Sequence, residues 1–410
     1  MCLPKRHALD LPGVPPSLVF ELRCAAQDVG VTRLALVGGM VRDLLLHQLH
    51  GVPWAGVPDL DWVVEGNALA LTEVLLQRCG SQRITDVQHY GDYGTVALRF
   101  DGILVDLASA RREIYPVPAQ NPKVEPGTLE QDLLRRDFTI NAMAIDLMAE
   151  QLVDSFSGQR GLTEKQLTLL HDHSIRDDPT RVIRAARYAA RLGFMLDEKT
   201  EDQITQTIQA WPWAWSTSTP AAAAPPALST RLRMELDRLF QHEPWAQAIA
   251  CLQQWRALSL IDPSLQDDPL LMRRLHWAQR LELPLLLALV SGARHPLRVA
   301  QRLQLPGQQQ QWLSQMVDLN QWLLADGPRV SALPSVWSEA LEARGAKAES
   351  VALLICLMPV QWKPLLRWWG RWRKIKSPKT ARQLLDSGWC PGPALGQELN
   401  RLRRKAQDKS

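Results

Sequence analysis

Leu34-Ala-Leu-Val-Gly-Gly-Met-Val-Arg-Asp-Leu-Leu-Leu46, followed after a Gly- and Pro-containing loop by Pro58-Asp-Leu-Asp-Trp-Val-Val-Glu65, decides how the rest of the chain is read. The apolar run before Gly38 is long enough for a buried strand. The Gly-Gly pair turns the chain into a helix, and the second run carries two acids one residue apart. Residues i and i+2 of a strand share a face, so Asp59 and Asp61 stand side by side. Paired carboxylates repel unless a cation lies between them, and hard oxygens at this spacing suit Mg²⁺. Gly38 and Gly39 leave main-chain N–H groups of a helix start open to an anion and let it come close. Arg42 sits in the first turn, where a cation works against the helix dipole unless an anion is there to bind. Asp43 can hold Arg42 or Arg136. Together these describe a triphosphate and metal site. A surface Asp-x-Asp loop and a plain tight turn are the simpler alternatives for each half alone.

Outward from this stretch, Ser17 to Val29 has an apolar helical stripe closed by Gly30, and Asn67 can cap a helix over Ala68–Arg78 that stops at Gly80. Thr95 to Phe100 and Ile103 to Ser109 flank Asp101-Gly102, a strong hairpin signal. The second run holds Asp106 among apolar neighbours, which is costly for a carboxylate unless it is paired or metal-bound. Residues 110–127 read as polar, Pro-rich and irregular. Thr128-Leu-Glu-Gln131 is a capping box, and 128–148 read as helix with a break near Asp137. A short strand is expected over Gln151–Asp154. After Thr163 the pattern is almost wholly helical, interrupted by the low-complexity stretch 211–228, which reads as an exposed loop.

The bulk numbers fit this. A chain of 410 residues needs two or more domains, and 46% hydrophobic with 22% charged residues is a globular balance. Six scattered cysteines form no zinc pattern and suit reduced thiols in a cytoplasm. Pro4, Lys5, Arg6, His7 and Asp10 interrupt any signal-peptide core, and no apolar run is long enough to span a bilayer. The net charge of +4 is mild, but the last fifty residues are far more basic than the rest.

Four motifs in order, Gly38-Gly-Met-Val-Arg-Asp43, Asp59-Leu-Asp61, Leu134-Arg-Arg-Asp-Phe-Thr-Ile-Asn-Ala-Met-Ala144 and Asp178-Pro-Thr-Arg-Val-Ile-Arg-Ala-Ala-Arg-Tyr188, resemble the class II tRNA nucleotidyltransferase/poly(A) polymerase family, the CCA-adding enzymes and their relatives. The resemblance implies an α+β chain with a polymerase-β-like nucleotidyltransferase head followed by all-helical neck, body and tail domains. These fall at 1–155, 156–245, 246–345 and 346–410. It makes Asp59, Asp61 and Asp106 the catalytic metal ligands for Mg²⁺. Gly38, Gly39, Arg42, Asp43 and Arg136 become nucleotide contacts, with Asp137 and Asn141 bracing the site one helical turn apart.

Asp178 and Arg181 lie three apart and can project from one helix face. A carboxylate accepts from the amino group of cytosine or adenine, and a guanidinium meets the ring nitrogen or carbonyl. Uracil and guanine would set a carbonyl oxygen against the acid, so the pair selects by rejection as well. A helix cap at Asp178 with a solvated Arg181 is the plainer alternative. The family's Glu before this Asp is the shorter Asp177 here. Arg184 matches a family nucleotide contact, whereas Arg187 reads as structural. Arg111 and Arg112 could touch phosphate or water. His171-Asp-His173 reads as a polar turn.

In the basic tail, Arg371, Arg373, Lys374, Lys376, Arg401, Arg403 and Arg404 are candidates for RNA phosphates, with most of Trp362, Trp368, Trp369 and Trp372 packing inward. The reading is template-independent addition of C and/or A to the tRNA 3′ end from CTP and ATP, with no membrane and no obligate protein partner. A poly(A) polymerase, a CC-only or A-only enzyme, and an RNA-binding protein with a decayed head are the alternatives.

Overall fold

The computed structural model describes residues 11–53, 59–91, 94–210 and 220–410. In chain order it begins with α1 (Pro16–Val29), β1 (Leu34–Val37), α2 (Gly39–His50), β2 (Leu60–Val64), α3 (Ala68–Arg83), β3 (Ile84–Tyr90), β4 (Thr95–Phe100) and β5 (Ile103–Ser109). Then come β6 (Arg111–Ile114), β7 (Lys123–Pro126), α4 (Leu129–Leu134), β8 (Ala144–Asp146), β9 (Gln151–Val153), α5 (Gly158–Glu164), β10 (Gln166–Leu167), α6 (Ser174–Asp177), α7 (Thr180–Leu192) and β11 (Met195–Leu196). Beyond Leu196 the described residues are helices and turns.

One seven-stranded sheet has the order β3-β4-β5-β2-β1-β8-β9. All its neighbouring pairs are antiparallel except β2 with β5. β1 is buried at all four positions, as a short apolar strand in the middle of a two-faced sheet must be. On one face Ala35, Val37 and Val63 pack with Leu129 and Leu133 of α4 and with Ala142 and Ala144. Asp61 lies two residues before Val63 and opposite Val37, so it shares this face beyond the packed cluster.

Local signals explain several boundaries. Gly30 ends α1 in the left-handed region, Asn67 accepts from the N–H groups of Leu69 and Ala70, and Thr128 with Gln131 forms both halves of a capping box. The β4–β5 hairpin turns through Asp101 and Gly102 at φ 48° and 86°, as its two-residue loop requires. Gly80, at φ 70°, breaks α3 where a stop was expected, and one more turn runs to Arg83.

Elsewhere the structure corrects the sequence reading. Residues 128–148 are not one helix. α4 stops at Leu134, a 3₁₀ turn spans Thr139–Asn141, and β8 pairs with β1. Local spacing in Ala142-Met-Ala-Ile fits either state, and the open edge of β1 takes it as strand. The stretch 110–127 is partly regular, since β6 and β7 form an antiparallel ribbon with Arg112 paired to Glu125. β3 was not anticipated; it is an exposed edge strand with a register shift between Thr85 and Gln88. Residues 211–219 lie outside the described residues. Past them the expected exposed loop is instead two short 3₁₀ turns, with Ala227 and Leu228 buried.

The chain divides into two compact units. The first comprises Met1–Ser216, Pro225–Ala227 and Glu243–Trp255, and the second Thr217–Ala224, Leu228–His242 and Arg256–Ser410. In the first, the helix Trp245–Gln254 packs on α7, and buried Glu243 takes ion pairs from Arg187 and Arg191, which gives Arg187 its structural role. In the second, the helix Pro393–Asp408 is clasped to Pro334–Glu342. Arg403 binds Glu342 through two nitrogens, Arg404 binds Glu339, and Asp408 accepts from the N–H and hydroxyl of Ser335. No helix among the described residues is long and apolar enough to cross a membrane.

Candidate active site

The site is assembled on the sheet face that carries Asp61. β2 and β5 run parallel with Asp61 opposite Asp106, so the second and third acids are register neighbours. Asp59 directly precedes β2 on the same alternation. Asp61 reaches solvent, yet enough protein surrounds it that burial pushes its carboxyl up. The charges of Asp106 and Asp59 push it further, and Arg136 partly offsets them. Burial raises Asp106 as well, followed by the charge of Asp59. Carboxyls raised by neighbouring like charges in this way mark a place that a cation would relieve. Among the described residues no group of three or more His, Cys, Asp or Glu forms a ready-made metal cage. Mg²⁺ rarely occupies one: it takes one or two carboxylates and fills its shell with water and substrate phosphates. The donor set fits that mode.

Gly38 closes the site from the β1 side. Its backbone lies at φ 79° and ψ −143°, and a Cβ built there would sit 3.1 Å from Asp61 Oδ2 and 3.5 Å from Arg136 Nη1. It also precedes the first turn of α2, where N–H groups lack intrahelical partners. Arg42 is buried. Its Nε donates to Asp43 at 2.8 Å, its Nη1 donates to Asn141 Oδ1 at 2.8 Å, and its guanidinium lies 5.3 Å from the Tyr188 ring centroid. Burial opposes the charge, but Asp43, Tyr188 and Asp137 outweigh it and raise the Arg42 pKa. Asp43 thus holds Arg42. Arg136 is held instead by Asp132, which is fully buried and accepts from Arg136 at 3.0 Å and from Arg135 at 2.7 Å. Asp132 was not anticipated; its position in the first turn of a capped helix was the available signal.

Asp137 and Asn141 brace the site, though not along a helix. Asn141 Nδ2 donates to Asp137 Oδ1 at 2.9 Å across the 3₁₀ turn, and the Phe138 N–H donates to the same oxygen. Arg184 Nη2 lies 2.6 Å from Asp137 Oδ2, which ties α7 to the sheet acids' support. Burial alone would raise Asp137, but Arg184 and the hydrogen bonds hold it below the usual carboxylate range.

Asp178 and Arg181 do not share a helix face. Asp178 lies ahead of α7 in extended geometry, and its Oδ1 accepts from the N–H and hydroxyl of Thr180. Arg181 is buried rather than solvated. It lines a cavity of about 320 Å³ together with Asp177, His171, Glu113, Tyr115 and Arg135, so α6, α7, α4 and the β6–β7 ribbon all contribute to one wall. The ribbon arginines are occupied: Arg111 pairs with Glu113 and Arg112 with Glu125.

In the second unit Trp368 and Trp372 are buried and Trp362 and Trp369 half-buried. Arg371, Lys374 and Lys376 are exposed without a side-chain acid partner among the described residues, and Arg373 donates to the Trp369 carbonyl. Arg401 pairs with Glu398, so it, Arg403 and Arg404 are committed to acids within the fold.

A strand–glycine–helix unit, paired strand acids and a braced arginine set define the head of a nucleotidyltransferase-type fold. Residues 34–168 match the poly A polymerase head domain. The A-adding tRNA nucleotidyltransferase of Aquifex aeolicus is 44% identical over 179 residues, 43% of this chain and 20% of that protein. The CC-adding tRNA nucleotidyltransferase of Deinococcus radiodurans is 44% identical over 164 residues, 39% of this chain and 41% of that protein. The chain thus spans about a fifth of the length of the first and two fifths of the second. A solved CCA-adding enzyme in its apo form matches 97% of this chain and 93% of its own, with a TM-score of 0.71 at 24% identity, which shows the same fold. The similarity to tRNA nucleotidyltransferases and the poly A polymerase head thus lies in the head of this chain, about two fifths of its length.

Proposed function

We propose that this protein is a template-independent nucleotidyltransferase that adds C and/or A to the 3′ end of tRNA from CTP and ATP. The observation that carries the proposal is the pairing of Asp61 with Asp106 across parallel strands, beside Gly38 and Arg136. Asp59, Asp61 and Asp106 would hold Mg²⁺. Bound there, the metal would favour attack of the tRNA 3′-hydroxyl on the α-phosphate and departure of pyrophosphate. The free N–H groups after Gly38 and Gly39, with Arg42 and Arg136, bind the triphosphate. Asp43, Asp137 and Asn141 keep those arginines in place, and Arg184 joins them through Asp137. Asp178 and Arg181 read the pairing edge of the base, and exposed cations of the tail, Arg371, Lys374 and Lys376 first, meet tRNA phosphates. In this reading the head is assigned to 1–155, the neck to 156–245, the body to 246–345 and the tail to 346–410, and the setting is cytoplasmic.

Because the relatives that support this reading include both an A-adding and a CC-adding enzyme at similar identity, the head alone does not choose between full and partial CCA addition. The test offers tRNAs lacking CCA, ending in CC, and complete, with CTP and ATP separately and together, and reads products at single-nucleotide resolution. Addition limited to the missing CCA nucleotides is expected. Long A tails on RNAs other than tRNA would point to a poly(A) polymerase instead. Replacing Asp59 and Asp61 by Ala is expected to abolish incorporation while tRNA binding persists; surviving incorporation would remove the metal assignment.

A further inference from the structure

We infer that His171 is a positioning residue for base selection: it accepts a hydrogen bond from Arg181 and turns that guanidinium so that its remaining donors face the cavity. This rests on the reading of Arg181 as a base contact given above.

The Arg181 guanidinium is held by three residues. Its Nη2 donates to the Arg135 carbonyl at 2.7 Å, and its Nη1 donates to the Ser174 hydroxyl and lies 3.4 Å from the Ser174 carbonyl and 3.3 Å from His171 Nε2. Among the described residues no acceptor engages its Nε–H or the second Nη2 proton, and the side chain lines the cavity. A guanidinium offers five donors in a rigid fork, so fixing Nη1 and half of Nη2 fixes where the others point. Of the three restraints only His171 is itself a cavity-lining side chain; the Arg135 carbonyl is backbone and Ser174 is fully buried.

For Nε2 to accept, the imidazole must be neutral with its proton on Nδ1. The surroundings enforce this. Burial, then the charges of Arg181 and His173, lower the His171 pKa to about 4, against a smaller opposing pull from Asp172. The ring is also fixed through its own backbone, since the His171 carbonyl accepts from Gln203 Nε2 at 3.1 Å and from the Ser174 N–H at 3.1 Å. A neutral acceptor suits this task better than a carboxylate would. It orients the arginine without neutralising the charge of the guanidinium that meets the ring nitrogen or carbonyl of the base.

The test uses the protein with tRNA lacking CCA, on which C is the next nucleotide, and with tRNA ending in CC, on which A is. It compares kcat/KM for CTP, ATP, UTP and GTP in the native enzyme, His171→Gln, His171→Leu and His171→Phe. Gln supplies a side-chain carbonyl that can accept from Arg181; Leu and Phe fill space without one. Loss of one orienting hydrogen bond is expected to lower the preference for CTP and ATP over UTP and GTP by about tenfold in the Leu and Phe variants, mainly through KM, and by less than about twofold in the Gln variant. Unchanged selectivity in both apolar variants overturns the inference. So does an equal fall in all three, which is what a packing role produces. Arg181→Ala is measured alongside. If it keeps full selectivity, the base-reading scheme itself fails, whereas lost selectivity there with none lost at His171 removes only the positioning role.

Discussion

Asp137 concentrates more of the site's support than any acid that faces the sheet. It is buried, and its two oxygens are divided between Asn141 with the Phe138 N–H and the Arg184 guanidinium. Breaking such a buried pair by removing one partner typically costs about 3–5 kcal/mol. Asp137→Ala is therefore expected to lower the unfolding free energy at pH 7 by about 3 kcal/mol in urea titrations. The pH dependence follows from the sign of the shift. The folded carboxyl lies below its ordinary 3.8, so its stabilisation is complete above that value and is lost as pH falls through the folded pKa. The gap between native and variant protein should thus stay constant from pH 7 to about 5 and narrow below pH 4. Among the residues, the shared face of Asp59 and Asp61 was legible from their spacing, because the two-residue period of a strand sets it, while the metal reading also needed Asp106 and the resemblance. Asp132 and His171 were not legible. Both act by holding an arginine that is close only after folding, and neither belongs to a local pattern that announces chemistry.

At the scale of elements, the junction of β1 and α2 is the most exacting. Gly38 lies in backbone space that side chains avoid, and any Cβ there presses on Asp61. Gly38→Ala is expected to cost about 1–3 kcal/mol from backbone strain. Gly39→Ala, whose Cβ would meet only Arg42 Nη2 at an ordinary 3.5 Å, should cost less than about 1 kcal/mol. Paired urea midpoints check the contrast, and comparable losses would show that the turn tolerates a side chain. Elements with local causes were readable in advance: the Asp101-Gly102 hairpin, the Thr128 capping box, the Gly30 stop. Those with non-local causes were not. β8 is a strand because β1 offers it an edge, and Asp137 with Asn141, spaced four apart, imitated a helix. β3 carries no clean alternation because it is an edge strand exposed along most of its length. The β6–β7 ribbon was obscured by charged residues that pair with each other across it.

For the whole molecule, sequence similarity and structural similarity cover different extents. The sequence matches stay within about two fifths of the chain, whereas the apo CCA-adding enzyme superposes along 97% of it. Helical packing asks for apolar residues of about the right size and tolerates many exchanges. A site asks for particular atoms. The basic end shows the same limit. Residues 361–410 carry thirteen Lys and Arg against three acids, yet position in sequence could not tell structural cations from available ones. Arg403 and Arg404 clasp one helix to another, while Arg371, Lys374 and Lys376 stay exposed. Replacing those last three by Ala is expected to weaken tRNA binding and flatten its dependence on log salt by about two units of slope, with the unfolding midpoint kept. Arg403→Ala should do the reverse, lowering the midpoint with little change in slope. Binding curves at several salt concentrations distinguish the two.

The parallel pairing of β2 with β5 makes the candidate metal site vulnerable to a kind of error that substitution does not produce. Because Asp61 and Asp106 meet through register, one residue gained or lost in β5 ahead of Asp106 would send that carboxylate to the opposite face, while every hydrogen bond of the ladder could still form. Such a chain would keep its composition, its sheet and nearly all of its core. It would lose the candidate metal site through a frameshift of geometry alone.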